Sequence, residues 1–239
     1  MVGSAAEVAR AAGELCLEAC AGAAAARGKA LIALTGGSTA KPLFDDLVRR
    51  PLPWSRLQIF LTDERAVPAA DPLSNLGLAQ RELFSRVQLA PAQIHALRGD
   101  APDLDAEAAR AADELRAVAA QKGGPPRLDL VLLGLGPDGH ILSLFAGVPA
   151  SAERGDAELV RHVAAPVAVE PHVARLTLTP FLVITARTVV LQVTGEKKAE
   201  VLARALRGAD DLVGCPAQWL RRAAGRVVVV ADEAAASRL

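Results

Sequence analysis

A histidine at the end of a glycine-rich stretch is the residue of this chain best suited to acid–base chemistry. Residues 132–140 read LLGLGPDGH, and a helical pattern follows over 141–145. Because the N-terminus of a helix disfavours positive charge, we expect His140 to be a neutral imidazole that can act as a general base. The structural alternative is a histidine that only caps or packs the turn. The same loop supplies three predicted binding residues, Gly136, Asp138 and Gly139.

Gly134, Gly136 and Gly139 also match the G-x-G-x-x-G pattern of dinucleotide-binding loops. The context argues against that interpretation, because Asp138 stands where a pyrophosphate would approach and the predicted helix after the loop is short. No clear second strand ends in an acidic residue about 20 positions further on, as the ribose contact requires. We therefore expect no dinucleotide and no other cofactor.

A second glycine-rich turn, TGGST at 35–39, precedes a helical pattern at 41–49. Glycines let successive backbone N–H groups point at one spot, and a helix N-terminus adds partial positive charge, so this turn suits a phosphate group. A plain strand-to-helix turn with Ser38 or Thr39 as the N-cap fits these residues equally well. The predicted phosphate-binding residues of this turn are Gly36, Gly37, Ser38 and Thr39.

Ionisable residues follow another apolar run, in the sequence TDER at 62–65. A solvated loop is the alternative, but a position directly after a strand favours a site. Asn75, next to the candidate helix cap Ser74, could serve a ligand hydroxyl or only the turn. Arg175 and Lys198 lie beside strand-like segments, and each could equally be a surface charge. The candidate site residues from these segments are Asp63, Arg65, Asn75, Arg175 and Lys198.

Five apolar runs must position these side chains, and helical patterns lie between them. Strands alternating with helices predict one α/β domain over residues 1–239, with a mostly parallel, Rossmann-like sheet and helices on both faces. Ligands bind such sheets at the carboxyl ends of the strands. The runs are 30–35, 57–61, 128–133, 189–193 and 227–230, and the helical patterns are 5–27, 41–49, 75–84, 104–121, 141–145 and 197–206, with Ser74, Asp103 or Asp105 as N-caps.

Residues 146–172 interrupt this alternation, because the segment is polar and contains three prolines. We interpret it as an excursion from the same domain, with a short strand near 162–166. Whether the excursion covers the site as a lid is left open.

Composition excludes several classes of protein. The 239 residues carry 27 Lys plus Arg against 27 Asp plus Glu, which argues against a nucleic-acid binder with a basic surface. No stretch approaches the roughly 20 apolar residues that span a bilayer, so we expect no membrane segment. Charges at Glu7, Arg10 and Glu14 argue against a secretory signal, and we expect a cytoplasmic protein.

Metal and serine-hydrolase sites have no support in the sequence. His95, His162 and His172 show no metal-ligand spacing, and the patterns H-E-x-x-H, C-x-x-C and G-x-S-x-G do not occur. Cys16 and Cys20 share helical i, i+4 spacing that a metal or redox pair could use, but two small buried residues are the favoured interpretation. We expect no metal ion.

Five segments, which follow one another along nearly the whole chain, together resemble the 6-phosphogluconolactonase family. This family belongs to a wider fold group with glucosamine-6-phosphate deaminase. The chain departs from the family pattern at 141–142, where Thr-Ala is usual, and at Ala146 and Ala40, where proline is common. These departures concern loop geometry and remove no functional group. The matching segments are LTGGSTAKP (34–42), IFLTDERAVP (59–68) with Ser74-Asn75, LDLVLLGLGPDGHILSLF (128–145), RLTLT (175–179) and VTGEKKAEVL (193–202).

The resemblance implies hydrolysis of 6-phospho-D-glucono-1,5-lactone to 6-phosphogluconate, the second step of the oxidative pentose phosphate pathway. It assigns the general base to His140 and phosphate binding to the glycine-rich turn with basic side chains. Arg65, Arg175 and Lys198 would hold the phosphate or offset the oxyanion, and which does which stays open. Asp63 would orient His140 or a sugar hydroxyl. The expected partner is a small sugar-phosphate lactone, and the expected state is a monomer, with a weak dimer as the alternative.

Two other functions remain to be weighed. An aminosugar-phosphate deaminase or isomerase shares the D-G-H-I motif, but the deaminase has an acidic residue shortly after the histidine, where this chain has SLFA at 143–146. Arg65 also stands where the deaminase pattern has a tyrosine. A non-catalytic sugar-phosphate binding module could use the same turn, although the presence of His140 argues against it.

Overall fold

Six strands form the larger sheet of the computed structural model, which describes residues 1–121, 124–148 and 158–239. Numbered along the chain and given in their spatial order within this part of it, they are β4 (Ile94–His95), β2 (Leu57–Leu61), β1 (Ala30–Leu34), β5 (Leu130–Gly134), β8 (Thr188–Val193) and β9 (Arg226–Ala231). All pairings between neighbours are parallel, so the carboxyl ends of the strands meet at one edge.

Both faces of this sheet are covered. All five residues of β1 are buried. Leu31 and Ala33 belong to the hydrophobic core on one face, whereas Ile32 and Leu34 belong to the core on the other. Strands covered on both sides read as continuous apolar runs, which is the pattern seen in the sequence. The predicted α/β fold, with a mostly parallel sheet and helices on both faces, is confirmed.

The helices divide between the two faces. Helices α1 (Ala5–Arg27), α2 (Ala40–Leu47) and α3 (Asn75–Glu82) pack on one face, and α4 (Leu104–Ala119), α5 (Pro180–Thr185), α6 (Ala199–Arg207) and α7 (Glu233–Ala236) pack on the other. Two of the three candidate caps are confirmed. Ser74 Oγ accepts a hydrogen bond from Gly77 N at 3.0 Å, and Asp103 accepts two at the start of α4. Asp105 lies in the first turn instead.

A second, three-stranded antiparallel sheet was not predicted. It pairs β3 (Asp63–Arg65) with β7 (Arg175–Leu178), and β7 with β6 (Val160–Val163). The ionisable residues of β3 carry no strand pattern, because pairing with β7 defines this strand. The strand expected near 162–166 is β6, which begins two residues earlier, and residues 149–157 of the excursion lie outside the described residues.

The predicted helix over 141–145 is wrong. Leu144 N donates to Ile141 O at 3.0 Å, and these residues form an isolated bridge that closes a tight turn. Ser143 N donates to Thr177 Oγ1 of β7, and Leu142 has a φ of 58°. The apolar spacing suited a helix, but the bond to β7 fixes a turn in its place. His140 is therefore not at a helix N-terminus, and that argument for its neutral form no longer holds.

Cys16 and Cys20 lie among the buried residues of α1. Cys16 and Cys20 are free thiols whose sulfur atoms lie 3.8 Å apart, and the predicted burial of both is confirmed. Their mutual hydrogen bond, together with burial, raises the pKa of Cys20.

In the described residues, every helix is too short or too polar to cross a membrane.

Candidate active site

A cleft of about 640 Å³ opens at the carboxyl edge of the larger sheet. Every predicted site residue except Gly139 lines it. Gly139 lies behind the wall, where its carbonyl oxygen accepts a hydrogen bond from Ala217 N at 2.8 Å. The predicted residues that the structure brings together are Gly36, Gly37, Ser38, Thr39, Asp63, Arg65, Asn75, Gly136, Asp138, His140, Arg175 and Lys198.

The glycine-rich turn after β1 forms one wall. Gly37 has a φ of 77°, which favours glycine. A Cβ atom at Gly36 would lie 1.9 Å from Asn75 Oδ1, so only glycine lets Asn75 approach the turn. Thr39 occupies the N-cap position of α2, but its side chain makes no capping hydrogen bond. The hydroxyl groups of this turn are therefore not needed by the helix, which suits ligand binding.

Glu64 holds the neighbouring wall together. Its buried carboxylate accepts hydrogen bonds from Arg65 N, Asn75 N, Leu76 N and Ser74 Oγ, all between 2.7 and 2.9 Å. Burial raises the pKa of Glu64, although these four hydrogen bonds oppose the rise. Glu64 thus ties the start of α3 to β3, and this bonding places Asn75 and Arg65 on the cleft.

Arg65 and Arg175 lie opposite each other on adjacent strands of the smaller sheet. They are register partners in the β3–β7 pair, where like charges directly opposite are destabilising. Arg65 donates to Leu73 O and Asn75 Oδ1, and Arg175 donates to Val173 O and Pro171 O. Burial, and then the charge of Arg65, lowers the pKa of Arg175. An anion bound between the two guanidinium groups would offset both their mutual repulsion and the cost of burying the charge of Arg175.

Lys198 adds a third cation to the cleft. Its Nζ donates to Leu135 O, and burial lowers the pKa of the ammonium group. Within the described ranges, no carboxylate forms an ion pair with Lys198, Arg65 or Arg175. Three cations in this arrangement are suited to a multiply charged anion such as a phosphate monoester.

The loop after β5 presents His140. Gly136 N donates to His140 O at 2.8 Å, and Gly139 N donates to Gly136 O at 3.2 Å, so the chain reverses between them. Gly139 adopts a φ of 93° at this reversal. The ring of Phe145 lies edge-on to the imidazole at 5.1 Å between centroids, and the Arg175 guanidinium lies 5.7 Å above Phe145. Phe145 thus separates the histidine from the arginine.

Asp138 orients the imidazole of His140. Its Oδ1 lies 2.6 Å from Nδ1 of the ring, and its Oδ2 accepts from Ala146 N at 3.3 Å. Burial opposes ionisation of Asp138, but the hydrogen bonds and the charge of His140 outweigh it and lower the pKa of the carboxyl to about 2. An ionised carboxylate only accepts hydrogen bonds, so whenever the ring is neutral its proton lies on Nδ1 and Nε2 presents a lone pair.

Asp63 bonds to other partners than His140. Its Oδ2 accepts from Ser143 Oγ at 2.7 Å, and its Oδ1 accepts from Thr62 Oγ1 at 3.1 Å. The bond from Ser143 attaches the turn after His140 to β3. In the structure it is Asp138, expected to bind substrate, whose carboxylate bonds the His140 ring.

The family model for glucosamine-6-phosphate isomerases/6-phosphogluconolactonase matches residues 3–229. The chain belongs to this family. A 6-phosphogluconolactonase of Streptomyces coelicolor is 37% identical over 225 residues, covering 90% of this chain and 84% of its own. One of Mycobacterium tuberculosis is 40% identical over 209 residues, covering 84% and 83%. A solved 6-phosphogluconolactonase from Trypanosoma cruzi superposes with a TM-score of 0.87 at 28% identity, covering 100% of this chain and 96% of that one.

This member of the glucosamine-6-phosphate isomerase/6-phosphogluconolactonase family also lines its cleft with residues that sequence reasoning missed. Ser143 and Phe145 lay in a segment interpreted as a helix, which hid their role in a turn. Residues 168–170 reach the cleft from the excursion. Gln192 interrupts the apolar run VVLQV, and a lone polar residue in a buried strand was the available signal.

Proposed function

We propose that this protein hydrolyses 6-phospho-D-glucono-1,5-lactone to 6-phosphogluconate, with His140 as the general base. The names of its relatives support the reaction. The observation that carries the proposal is the pairing of His140 with an ionised Asp138, in a cleft with three cations that lack carboxylate partners among the described residues.

The proposed reaction needs one proton acceptor and no covalent intermediate. Nε2 of His140 takes a proton from water as the water oxygen attacks the lactone carbonyl carbon, giving a tetrahedral oxyanion. Collapse of this intermediate breaks the bond between the carbonyl carbon and the ring oxygen. The imidazolium returns the proton to that oxygen, which becomes a hydroxyl. Asp138 stabilises the imidazolium in between, because its negative charge lies against Nδ1.

The cations divide between two negative charges, the phosphate of the substrate and the developing oxyanion. Arg65 and Arg175 form a facing pair that suits the phosphate, because guanidinium groups bind its oxygens with two donors each. Lys198 donates to Leu135 O in the same loop that carries His140, so we assign it to the oxyanion side.

The assay compares two substrates. We expect the protein to accelerate acid release from freshly generated 6-phosphogluconolactone above spontaneous hydrolysis, and to release no ammonia from glucosamine 6-phosphate. Ammonia release without lactone hydrolysis would identify a deaminase. Binding of 6-phosphogluconate with neither activity would identify a binding module.

Replacement of Gly136 by alanine tests the position of the imidazole. A Cβ atom at residue 136 would lie 2.0 Å from Nδ1 of His140, so Gly136→Ala must displace the ring. A displacement of about 1 Å costs on the order of 100-fold in rate, and we expect kcat/KM for the lactone to fall by about that factor.

Gly22→Ala is the control outside the cleft. Gly22 lies in α1, where a Cβ atom would meet nothing within 4 Å, so we expect the kcat/KM of the wild type. Equal activity of the two variants would contradict the placement of His140 against Gly136.

A further inference from the structure

Gln192 is a buried glutamine with no hydrogen-bond partner for its side chain. Only 1% of its surface is exposed, yet it lies at the carboxyl end of β8 and lines the cleft. Neither Oε1 nor Nε2 bonds to any of the described residues. A buried amide without hydrogen-bond partners destabilises the free protein, so we look for its partner on a ligand bound in the cleft.

The two other buried glutamines show what a structural role looks like in this fold. Gln93 accepts from Ala90 N and donates to Trp54 O and Leu57 O. Gln218 likewise accepts from Asp211 N and donates to Arg204 O and Ala209 O. Each of these amides satisfies three backbone groups away from the cleft. Gln192 satisfies none, which separates it from both.

The position of Gln192 places it beneath the glycine-rich turn. It is the register partner of Gly134 in the β5–β8 pair, and paired residues of parallel strands share a face. A Cβ atom at Gly134 would lie 3.4 Å from Thr39 Oγ1, so the same face of the sheet meets the start of α2. Val190, two residues earlier on β8, packs in the core on that face. Gln192 therefore follows Val190 on the same face of β8. It places an amide at the floor of the cleft, where the pattern of this face would put an apolar side chain.

The chemistry of an amide indicates which part of a ligand it binds. A primary amide offers both an acceptor oxygen and two N–H donors, and a hydroxyl group can complement both. Phosphate oxygens at neutral pH mainly accept, and they would leave Oε1 facing negative charge. We propose that Gln192 is a specificity-determining residue that hydrogen-bonds a hydroxyl of the ligand's polyhydroxylated carbon skeleton; this rests on the proposed function.

The test replaces the amide by an apolar side chain of similar size. Gln192→Met removes both unpaired polar atoms, so we expect the Tm of the free protein to stay equal or rise. Affinity for 6-phosphogluconate, measured by calorimetry, should fall about tenfold, in keeping with the loss of one or two neutral hydrogen bonds. Affinity for inorganic phosphate should stay within twofold of wild type, because phosphate carries no carbon-bound hydroxyl.

Gln218→Met is the matched control. It leaves Asp211 N and Ala209 O without the partner that Gln218 supplies, whereas Arg204 O keeps its bonds from Gly208 N and the Arg221 side chain, so we expect a lower Tm with unchanged affinity for 6-phosphogluconate. Wild-type affinity of Gln192→Met for 6-phosphogluconate, or an equal loss of affinity for inorganic phosphate, overturns the assignment of Gln192. Failure of the proposed function is a separate result, since it is seen as wild-type protein that binds 6-phosphogluconate without hydrolysing the lactone.

Discussion

Replacing His140 by alanine should lower kcat/KM for 6-phosphogluconolactone by about 1,000-fold, within the range of roughly 100- to 10,000-fold that general acid–base catalysis contributes. The imidazole lies on the cleft wall and makes its one side-chain hydrogen bond within the described chain to Asp138. Its removal therefore takes away the proposed proton acceptor, together with the edge-on contact to Phe145. We expect the affinity for 6-phosphogluconate to change much less than kcat, because the cations remain in place.

His162→Ala is the control for this substitution. His162 lies on β6 and its ring contacts Asp105, outside the cleft. We expect wild-type activity from it. Full lactonase activity in His140→Ala would show that another group accepts the proton, and the mechanism proposed above would then be abandoned.

The Asp138→Asn variant should lose about 100- to 1,000-fold in kcat/KM while the fold is kept. An asparagine amide can donate to Nδ1, which favours the tautomer with its proton on Nε2 and removes the lone pair that water needs. It also removes the negative charge that stabilises the imidazolium. The loss should appear mainly in kcat, because Asp138 does not need to touch the substrate in this mechanism.

The pH dependence of the wild type gives a second test of Asp138. Its pKa of about 2 lies below the ordinary value of 3.8, so its stabilising effect is complete above pH 4 and is lost as the pH falls toward 2. Between pH 5 and 8 Asp138 stays ionised. A fall in kcat/KM on acidification in that interval therefore belongs to a group other than Asp138.

Asp211→Asn is the matched control for Asp138→Asn. Asp211 also binds a backbone N–H, from Gly214, and a cation, Arg204, and these bonds lower its pKa. It lies outside the cleft, so its asparagine variant should keep wild-type kcat/KM. Equal activity of Asp138→Asn and the wild type between pH 5 and 8 would rule out the tautomer argument.

The larger sheet was predictable because its strands carry their own signal. Runs such as LQIFL at 57–61 are buried on both faces and end at polar residues, so their order along the chain already indicates a parallel sheet with one ligand-binding edge. The candidate residues at those strand ends could be selected for the same reason. The residues within each segment were sufficient to predict these strands, because burial on both faces leaves its mark on the segment itself.

Long-range contacts decided what was missed. β3 is a strand only because β7 pairs with it, and the turn at 141–144 exists because Ser143 bonds to Thr177 and Asp63. The partners lie more than thirty residues away in the chain, so spacing could not reveal them. The bond between Asp138 and the His140 ring is local, but residue spacing alone does not show that the loop turns the Asp138 carboxylate toward Nδ1.

The two sheets contribute different parts of the cleft. His140 follows a strand of the larger sheet, whereas Arg65 and Arg175 belong to the smaller one. In the proposed mechanism, the proton acceptor and the two arginines assigned to the phosphate therefore lie on separate elements. Substitutions at Arg65 or Arg175 would then alter which anionic substrates bind, whereas Asp63 and Thr177 of the smaller sheet must keep the bonds to Ser143 that fix the turn after His140. Such a division lets one scaffold diversify its ligands over evolution without rebuilding its chemistry.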